Sequence, residues 1–156
     1  MRLKSLFTIF FVVILIGCDS GLGPTDEVPA EGSLIVNISY TGDWPPADEL
    51  FEFRFVAFEF LPTSLTDFLR INEMLISDQL EYFVDSETII FQDIENREYF
   101  YSAIAWQFGE NVFADWTAAG IYTENDGYFK IEGNIIEIDL EVDFDNLPDF
   151  PPPLPE

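Results

Sequence analysis

The spacing of five carboxylates near the C-terminus raises the question of cation binding. Asp139, Glu141, Asp143 and Asp145 alternate with apolar residues, and Asp149 follows them. Residues two apart on one face of a strand are separated by about 6.6 to 6.8 Å. Such acids repel one another, and a hard cation such as Ca²⁺ would relieve that repulsion. Adjacent members are too far apart to chelate one ion. We therefore expect a solvated acidic face with weak, nonspecific divalent binding and no metal site.

Other arrangements of acids give even weaker evidence of a functional site. The turn sequence Glu124 to Gly127 (ENDG) fails the EF-hand pattern, because Tyr122 holds the first ligand position and Gly133 the last. Two carboxylates suffice for glycoside hydrolysis, but among 30 acids some pair meets that distance by chance. The chain also lacks a phosphate-binding glycine loop and a nucleophile elbow. We predict no catalytic residue and no cofactor.

Composition excludes several classes of protein. The 156 residues include 30 acids, six Lys and Arg, no His and one Cys, for a net charge of −24. Without His there is no Ser-His-Asp, Cys-His or His–metal chemistry, and one Cys forms no intramolecular disulfide and no multi-cysteine metal site. So few cations cannot form a nucleic-acid groove, since phosphate binding needs clustered positive charge. The charge also suits a salt-rich habitat, where ions screen self-repulsion.

Tryptophans offer one further kind of site. Trp44, Trp106 and Trp116 could stack against sugar rings on a carbohydrate-binding surface. Trp106 lies in an apolar segment and Trp44 precedes two prolines, which favours packing roles for both. Trp116 is the one we expect to be most exposed.

The N-terminus has the pattern of a secretory signal. Arg2 and Lys4 precede 11 residues, Leu6 to Ile16, that are apolar except for Thr8. As a helix this stretch spans roughly 16 Å, about half of a hydrocarbon core. It is therefore too short for a comfortable transmembrane helix.

Residues 15–18, Leu-Ile-Gly-Cys, resemble the bacterial lipobox. The resemblance implies a diacylglyceryl thioether on Cys18, cleavage before it and acylation of the new amino group. Several acyl chains anchor firmly, since each buried CH₂ contributes roughly 0.8 kcal/mol. We expect a membrane-anchored protein of the bacterial envelope, in the outer membrane and facing either the periplasm or the surface. Cleavage would leave four cations: Arg54, Arg70, Arg97 and Lys130.

Composition divides the chain into four parts. Residues 1–17 are the predicted signal peptide, and 18–31 are the lipidated Cys with a flexible tether rich in Gly, Pro and acids. Residues 32–146 have the size of one domain. Residues 147–156 form a proline-rich tail, which we expect to be disordered or, alternatively, a docking peptide.

Within the domain, apolar residues recur with a period of two, which predicts strands. The first predicted strand carries Leu34, Val36, Ile38 and Tyr40 on one face. Near Val56 the apolar parity switches, which indicates either a bulge or burial of both faces. Residues 62–78 suit either a single short helix, with a capping box from Ser64 to Asp67, or an excursion between strands, better than they suit a strand. Further strands are predicted at 51–60, 80–84, 88–94, 113–123, 128–131 and 136–144, and a long apolar strand at 99–108.

Seven or eight short strands with frequent turns predict an all-β, two-sheet antiparallel β-sandwich, transthyretin-like or Ig-like. The domain also resembles small envelope lipoproteins with a transthyretin-like or carboxypeptidase-regulatory-like sandwich. The residues that carry this resemblance are Gly32–Val36, Trp44–Pro45, Phe55–Phe58, Tyr101–Trp106, Gly120–Tyr122 and Asp143–Phe144. The Pro-Gly turn of such domains is here Glu95-Asn96-Arg97. The resemblance implies a fold and no active site.

Together these features predict a lipid-anchored envelope accessory protein with a binding or structural role and no catalysis. The alternative is a carbohydrate-binding lipoprotein with an exposed aromatic platform. Partners expected besides the membrane are an envelope protein or a glycan, and not a nucleic acid.

Lipidation at Cys18 is testable directly. The native protein should begin at residue 18 and carry acyl chains there, and Cys18→Ala should abolish acyl labelling because it removes the only thiol of the chain. Mass spectrometry of both proteins is the measurement. An unmodified residue 18 with the leader still attached would contradict the prediction.

Overall fold

The computed structural model describes residues 30–152, apart from the side chains of Phe68 and Leu69. Cys18 and the predicted leader therefore lie outside the described residues, as do nearly all of the tether and the last four residues of the tail. Among the described residues no helix is long and apolar enough to cross a membrane.

Nine strands form within the described residues. They are β1 (Glu31–Thr41), β2 (Glu52–Phe58), β3 (Met74–Ile76), β4 (Ser86–Glu95), β5 (Arg97–Tyr99), β6 (Tyr101–Gln107), β7 (Trp116–Ile121), β8 (Phe129–Ile131) and β9 (Ile135–Asp143). Sheet 1 has the order β4-β1-β9 and sheet 2 the order β3-β2-β6-β7. Strands β5 and β8 pair as a separate two-stranded ribbon.

The main core lies between the two sheets. Sheet 1 contributes alternate residues of β1 and β9, among them Val36 and Leu140, and sheet 2 contributes Phe53, Phe55 and Ile104. These side chains are at most 2 % exposed. Because successive strand residues point to opposite faces, a period-two apolar pattern places one whole face in this core. The ribbon covers one end, where Tyr99 and Phe129 stack with ring centroids 4.9 Å apart.

Sheet 2 is buried on its outer face as well. Val56 and Phe58 of β2 join Ala105 of β6 in a second apolar cluster, while Phe55 and Ala57 face the main core. The pairing of β2 with β6 has no register shift from Glu52 to Phe58. The parity switch near Val56 therefore reflects burial of both faces and not a bulge.

One side of the sandwich is closed by a close approach of β7 to β9. A Cβ atom at Gly120 of β7 would overlap the carbonyl oxygen of Glu141 in β9, with Leu140 and Val142 side chains also in contact. Only a residue without a side chain lets the two sheets meet there.

The all-β class and the sandwich arrangement are confirmed. The described residues hold nine strands, where seven or eight were predicted, because the segment 97–107 divides in two and β3 is an additional short strand, while the strand predicted at 80–84 does not form. Strands β1 and β9 pair in parallel, so the sheets are not antiparallel throughout. The first and last strands are neighbours with a long separation in sequence, and strand periodicity carries no information on their relative direction.

The predicted strand at 80–84 is wrong. Leu80 is 3 % exposed and its N–H donates to the carbonyl of Phe53 (2.8 Å), but this segment is irregular. Phe83 has φ of 60°, a left-handed conformation that breaks an extended chain. The apolar alternation here reflects contact with the core without a strand ladder.

The predicted strand at 99–108 is divided at Phe100. Its N–H donates to the carbonyl of Phe58 (2.9 Å), where the chain passes from the ribbon into sheet 2. Every residue of β6 is buried, so the strand shows no alternation that could have marked its start.

The segment 62–78, predicted as a short helix or an excursion between strands, forms two 3₁₀ helices, Leu65–Leu69 and Ile71–Glu73. The prediction missed the short strand β3 that follows them. The carboxylate of Asp67 accepts the backbone N–H groups of Thr63 (2.8 Å) and Ser64 (3.0 Å), which lowers the pKa of Asp67. The capping box from Ser64 to Asp67 is thus present.

In the tail, Phe150 packs on the outer face of sheet 2, its ring 6.1 Å from that of Tyr101.

Gly120→Ala should destabilise the fold by about 1–3 kcal/mol, because the added methyl group would push β7 from β9. Denaturant unfolding measures the loss. Gly109→Ala is the matched control, since the nearest atoms to its added Cβ belong to the side chain of Asp115, which can rotate, and not to the backbone of a neighbouring strand. Equal stability losses at the two positions would contradict the close-approach argument.

Candidate functional site

The carboxylate row lies on the outer face of sheet 1. Glu137, Asp139 and Glu141 are exposed on β9, opposite in direction to the buried Ile138 and Leu140. This confirms the predicted separation of an apolar face from an acidic one.

Neighbouring polar groups form hydrogen bonds with some carboxylates of this row. The side-chain amide N–H groups of Asn37 in β1 donate to the carboxylates of Glu137 (2.8 Å) and Asp139 (3.0 Å). The hydroxyl of Thr88 in β4 donates to the side-chain oxygen Oδ1 of Asn37 (3.0 Å). Asp143 accepts the backbone N–H of Asp145 (3.0 Å), which ends the row in a local turn. These bonds span three strands and position the carboxylates on the sheet surface.

A polar cleft of about 740 Å³ lies over this face. Its carboxylates come from Glu87, Glu124, Asp139, Glu141 and Asp143, and its other polar groups include Asn37. Within residues 30–152 no group of three or more His, Cys, Asp or Glu side chains is arranged to hold a metal ion. At Asn125 and Asp126 the acidic turn has φ of 50° and 56°, the geometry of a tight turn.

The three tryptophans do not form one platform. Trp44 packs over the end of the main core, 4.9 Å from the ring of Tyr40 and 4.6 Å from that of Phe144. Trp106 is 8 % exposed and donates its indole N–H to the carbonyl of Glu49 (2.8 Å). Trp116 lies on the opposite face of sheet 2, half-buried, and donates to the carbonyl of Val112 (2.9 Å).

Trp116 lines an apolar groove of about 420 Å³ on the outer face of sheet 2. Val56 and Ala105 form its floor, since both are buried in the second apolar cluster. Its walls come from the 3₁₀ segment at Ile71 and from the β6–β7 loop at Val112 and Phe113. We call this surface the sheet 2 groove; its lining residues are Arg54, Val56, Ile71, Met74, Ile76, Ala105, Val112, Phe113 and Trp116.

The walls of the sheet 2 groove expose apolar side chains to solvent. Ile71 is 61 % exposed, Val112 53 % and Phe113 69 %. The one charged lining residue, Arg54, donates to the Glu52 carboxylate (2.7 Å) and to the Ser77 carbonyl (2.9 Å). The groove therefore offers an apolar contact surface with few polar groups to meet a ligand.

Sequence reasoning missed this groove. Its residues come from four segments between positions 54 and 116, and Phe113 was assigned to a returning strand when it lies in the loop before β7. A signal was present in the parity switch near Val56 together with the small residues Ala103 and Ala105, which leave room above β6.

All four cations of the described residues are paired with acids. Arg54 pairs with Glu52, Arg70 with Asp67 and Glu73, Arg97 with Glu59 and Glu95, and Lys130 with Glu98 and Glu132. Solvent screens pairs of this kind, so they contribute little to stability. Acids outnumber cations so heavily that most carboxylates face solvent without a cationic partner.

Tyr40 and Glu87 form a polar contact at the rim of the main core. The hydroxyl of Tyr40 donates to the Glu87 carboxylate. Burial, and then the bond and charge of Glu87, raise the pKa of Tyr40. The hydroxyl therefore stays protonated at neutral pH and serves as a donor, which satisfies a carboxylate on the core side of β4.

Comparisons with family models, with curated proteins and with solved structures found no match to this chain.

The melting temperature should rise steadily with NaCl, because salt screens repulsion among the unpaired carboxylates. A gain of about 1 kcal/mol in the free energy of unfolding would raise the melting temperature by roughly 4 °C in a domain of this size. Scanning calorimetry between roughly 0.1 and 2 M NaCl measures the slope.

A charge-reduced variant, Glu137→Gln with Glu141→Gln, is the control for general effects of salt on apolar burial. It should start from a higher melting temperature and show a shallower slope. A flat response of the native protein, or equal slopes for both proteins, would refute the repulsion argument.

Proposed function

We propose that this protein is a lipid-anchored accessory of the bacterial envelope that binds a partner protein through the sheet 2 groove and has no catalytic role. The lipobox-like sequence at residues 15–18 supports the anchor at Cys18, and the apolar wall of the groove supports the binding role. The proposed location is the outer membrane, and the proposed relation to transthyretin-like envelope lipoproteins rests on sequence resemblance.

The observation that carries the binding role is exposed apolar surface on a strongly acidic protein. Phe113, Val112 and Ile71 each expose more than half of their surface around one groove. Contiguous apolar surface of this kind marks interaction sites on soluble domains. An aromatic or aliphatic side chain of a partner would gain burial against Phe113 and Trp116, which are residue types that concentrate binding energy at interfaces.

Charge favours a partner with basic residues around its apolar anchor. Glu73 directly precedes Met74, and Asp115 directly precedes Trp116, so acids adjoin the groove lining. With a net charge of −24, long-range attraction favours a cationic protein surface over an anionic one. The same charge disfavours nucleic acid and anionic lipid headgroups.

A glycan is the alternative occupant, favoured by the half-buried indole of Trp116 in the groove wall. Sugar hydroxyls need convergent hydrogen-bonding groups. The Trp116 N–H already donates to Val112, and the Arg54 guanidinium is bonded to Glu52 and Ser77. The groove therefore suits an apolar side chain better than a polar ring.

The test compares two equally exposed apolar residues. Phe113→Ser should lower recovery of a crosslinked partner from the native envelope by roughly tenfold, the loss expected for one interface anchor. Ile135→Ser is the matched control, because Ile135 is 71 % exposed on sheet 1, away from the groove. The same partner should be recovered with the native protein and with the control.

Three outcomes would overturn the proposal. Equal loss in both variants would show nonspecific apolar capture, and no loss in Phe113→Ser would remove the groove as the site. Selective glycan binding that Trp116→Ala abolishes would establish the carbohydrate-binding alternative instead.

A further inference from the structure

The two sides of the sandwich differ. Gly120 brings β7 against β9 and closes one side. On the other side β4 is the outer strand of sheet 1, and a groove of about 380 Å³ separates it from the segment 76–80 beside sheet 2. An outer strand presents backbone N–H and C=O groups that no neighbouring strand uses.

The hydrogen-bond pattern shows which groups of β4 face outward. The N–H of Tyr40 donates to the carbonyl of Asp85 (3.0 Å), and the N–H of Ser33 donates to the carbonyl of Asn134 before β9 (2.9 Å). Bonding in an antiparallel pair alternates along each strand. The even-numbered residues of β1 therefore bond to β4, and its odd-numbered residues bond to β9.

The register between β1 and β4 shows which residues of β4 bond to β1. Ile38 lies opposite Glu87, Val36 opposite Ile89, and Leu34 opposite Phe91, so those three residues of β4 use their backbone groups toward β1. The alternate residues Ser86, Thr88 and Ile90 consequently direct their N–H and C=O groups to the open side. All three are exposed, Ile90 to 59 %.

This row of groups, which we call the β4 edge, has a defined length. Residues two apart along a strand repeat at about 6.8 Å, so three successive rungs face outward from Ser86 to Ile90. Beyond them the register jumps between Gly32 and Leu34, and Asp93 has φ of 55°. Such a bulge bends the strand and ends the regular template.

We propose that the β4 edge accepts an extended, basic segment of a partner protein as an additional strand of sheet 1. Main-chain bonds to Ser86, Thr88 and Ile90 would supply affinity, and alternate side chains would supply selectivity. Apolar side chains of the segment would enter the groove beside Leu80, Ile89 and Phe91.

The charge around the β4 edge selects basic residues in the segment. Asp85, Glu87 and Asp93 lie along β4 or directly before it, and Asp78 and Glu81 lie on or next to the facing segment. Lys or Arg at the ends of an added strand would meet these acids, and opposite charges across neighbouring strands are favourable.

A second copy of this chain is the weaker occupant. Two β4 strands paired antiparallel about Ile90 would place Glu87 opposite Asp93, and like charges directly opposite are destabilising. Each copy would also bring a net charge of −24.

Amide hydrogen exchange on the intact protein in detergent tests the proposal. The probe is the synthetic peptide Arg-Lys-Val-Thr-Val-Thr-Val-Lys-Arg, and its control has Glu at every Arg and Lys position. In the free protein the amides of Thr88 and Ile90 should exchange faster than those of Glu87 and Ile89. The basic peptide should slow exchange at Thr88 and Ile90 specifically, and the acidic peptide should not.

Two substitutions at one position separate backbone pairing from side-chain contact. Ile90→Pro removes an outward N–H without breaking the ladder to β1, which edge strands tolerate. It should weaken peptide binding by roughly tenfold or more. Ile90→Thr keeps the N–H and should change the affinity by no more than about twofold. Thr88→Pro makes the same test if Ile90→Pro does not fold.

Each possible result of the peptide experiment either supports or overturns the proposal. Failure of about 1 mM basic peptide to protect Thr88 and Ile90 would overturn the proposal, as would equal protection by the acidic peptide. Protection that grows with protein concentration alone would assign the edge to a second copy. The groove beside β4 and the sheet 2 groove meet at Ile76, but Phe113 lines the sheet 2 groove and not the groove beside β4. Phe113→Ser should therefore leave peptide binding unchanged.

Discussion

The apolar side chains between the two sheets must hold together a chain that carries a net charge of −24. Phe53, Phe55 and Ile104 are wholly buried there, and each large apolar side chain that leaves water contributes about 1.5–3 kcal/mol. The four cations of the described residues offset little of the repulsion, because their ion pairs are partly in solvent. Stability therefore depends on keeping every apolar face covered and every unpaired carboxylate in water.

That constraint explains how the surfaces are divided. Carboxylates occupy the outer face of sheet 1, where strand alternation directs them to solvent. Sheet 2 has an apolar outer face, which Met74, Trp116 and Phe150 cover in part. The cover is incomplete where Val112 and Phe113 stand exposed beside the sheet 2 groove. A protein that needed only to fold would not have to expose this surface, which is why it carries the proposed binding role.

The sides of the sandwich follow from the same packing. On one side of the sandwich, Gly120 permits β7 to approach β9 closely. With one side closed, the twist of the sheets leaves β4 separated from the segment 76–80. The acids along β4 and the bulge at Asp93 disfavour pairing between the β4 strands of two copies of this protein. They do not prevent pairing with a strand of opposite charge.

The sequence by itself determined the local features: the strands of period two, the acidic face of β9, the capping box at Asp67 and the all-β sandwich. Each of these depends on side chains a few residues apart, whose relation a strand or turn defines. Only the tertiary structure decided the parallel pairing of β1 with β9, the division of the chain at Phe100 and the irregular path at Phe83. It also decided the sheet 2 groove and the β4 edge. These features join residues far apart in sequence, and where both faces of a strand are buried the alternation that marks direction and ends is lost.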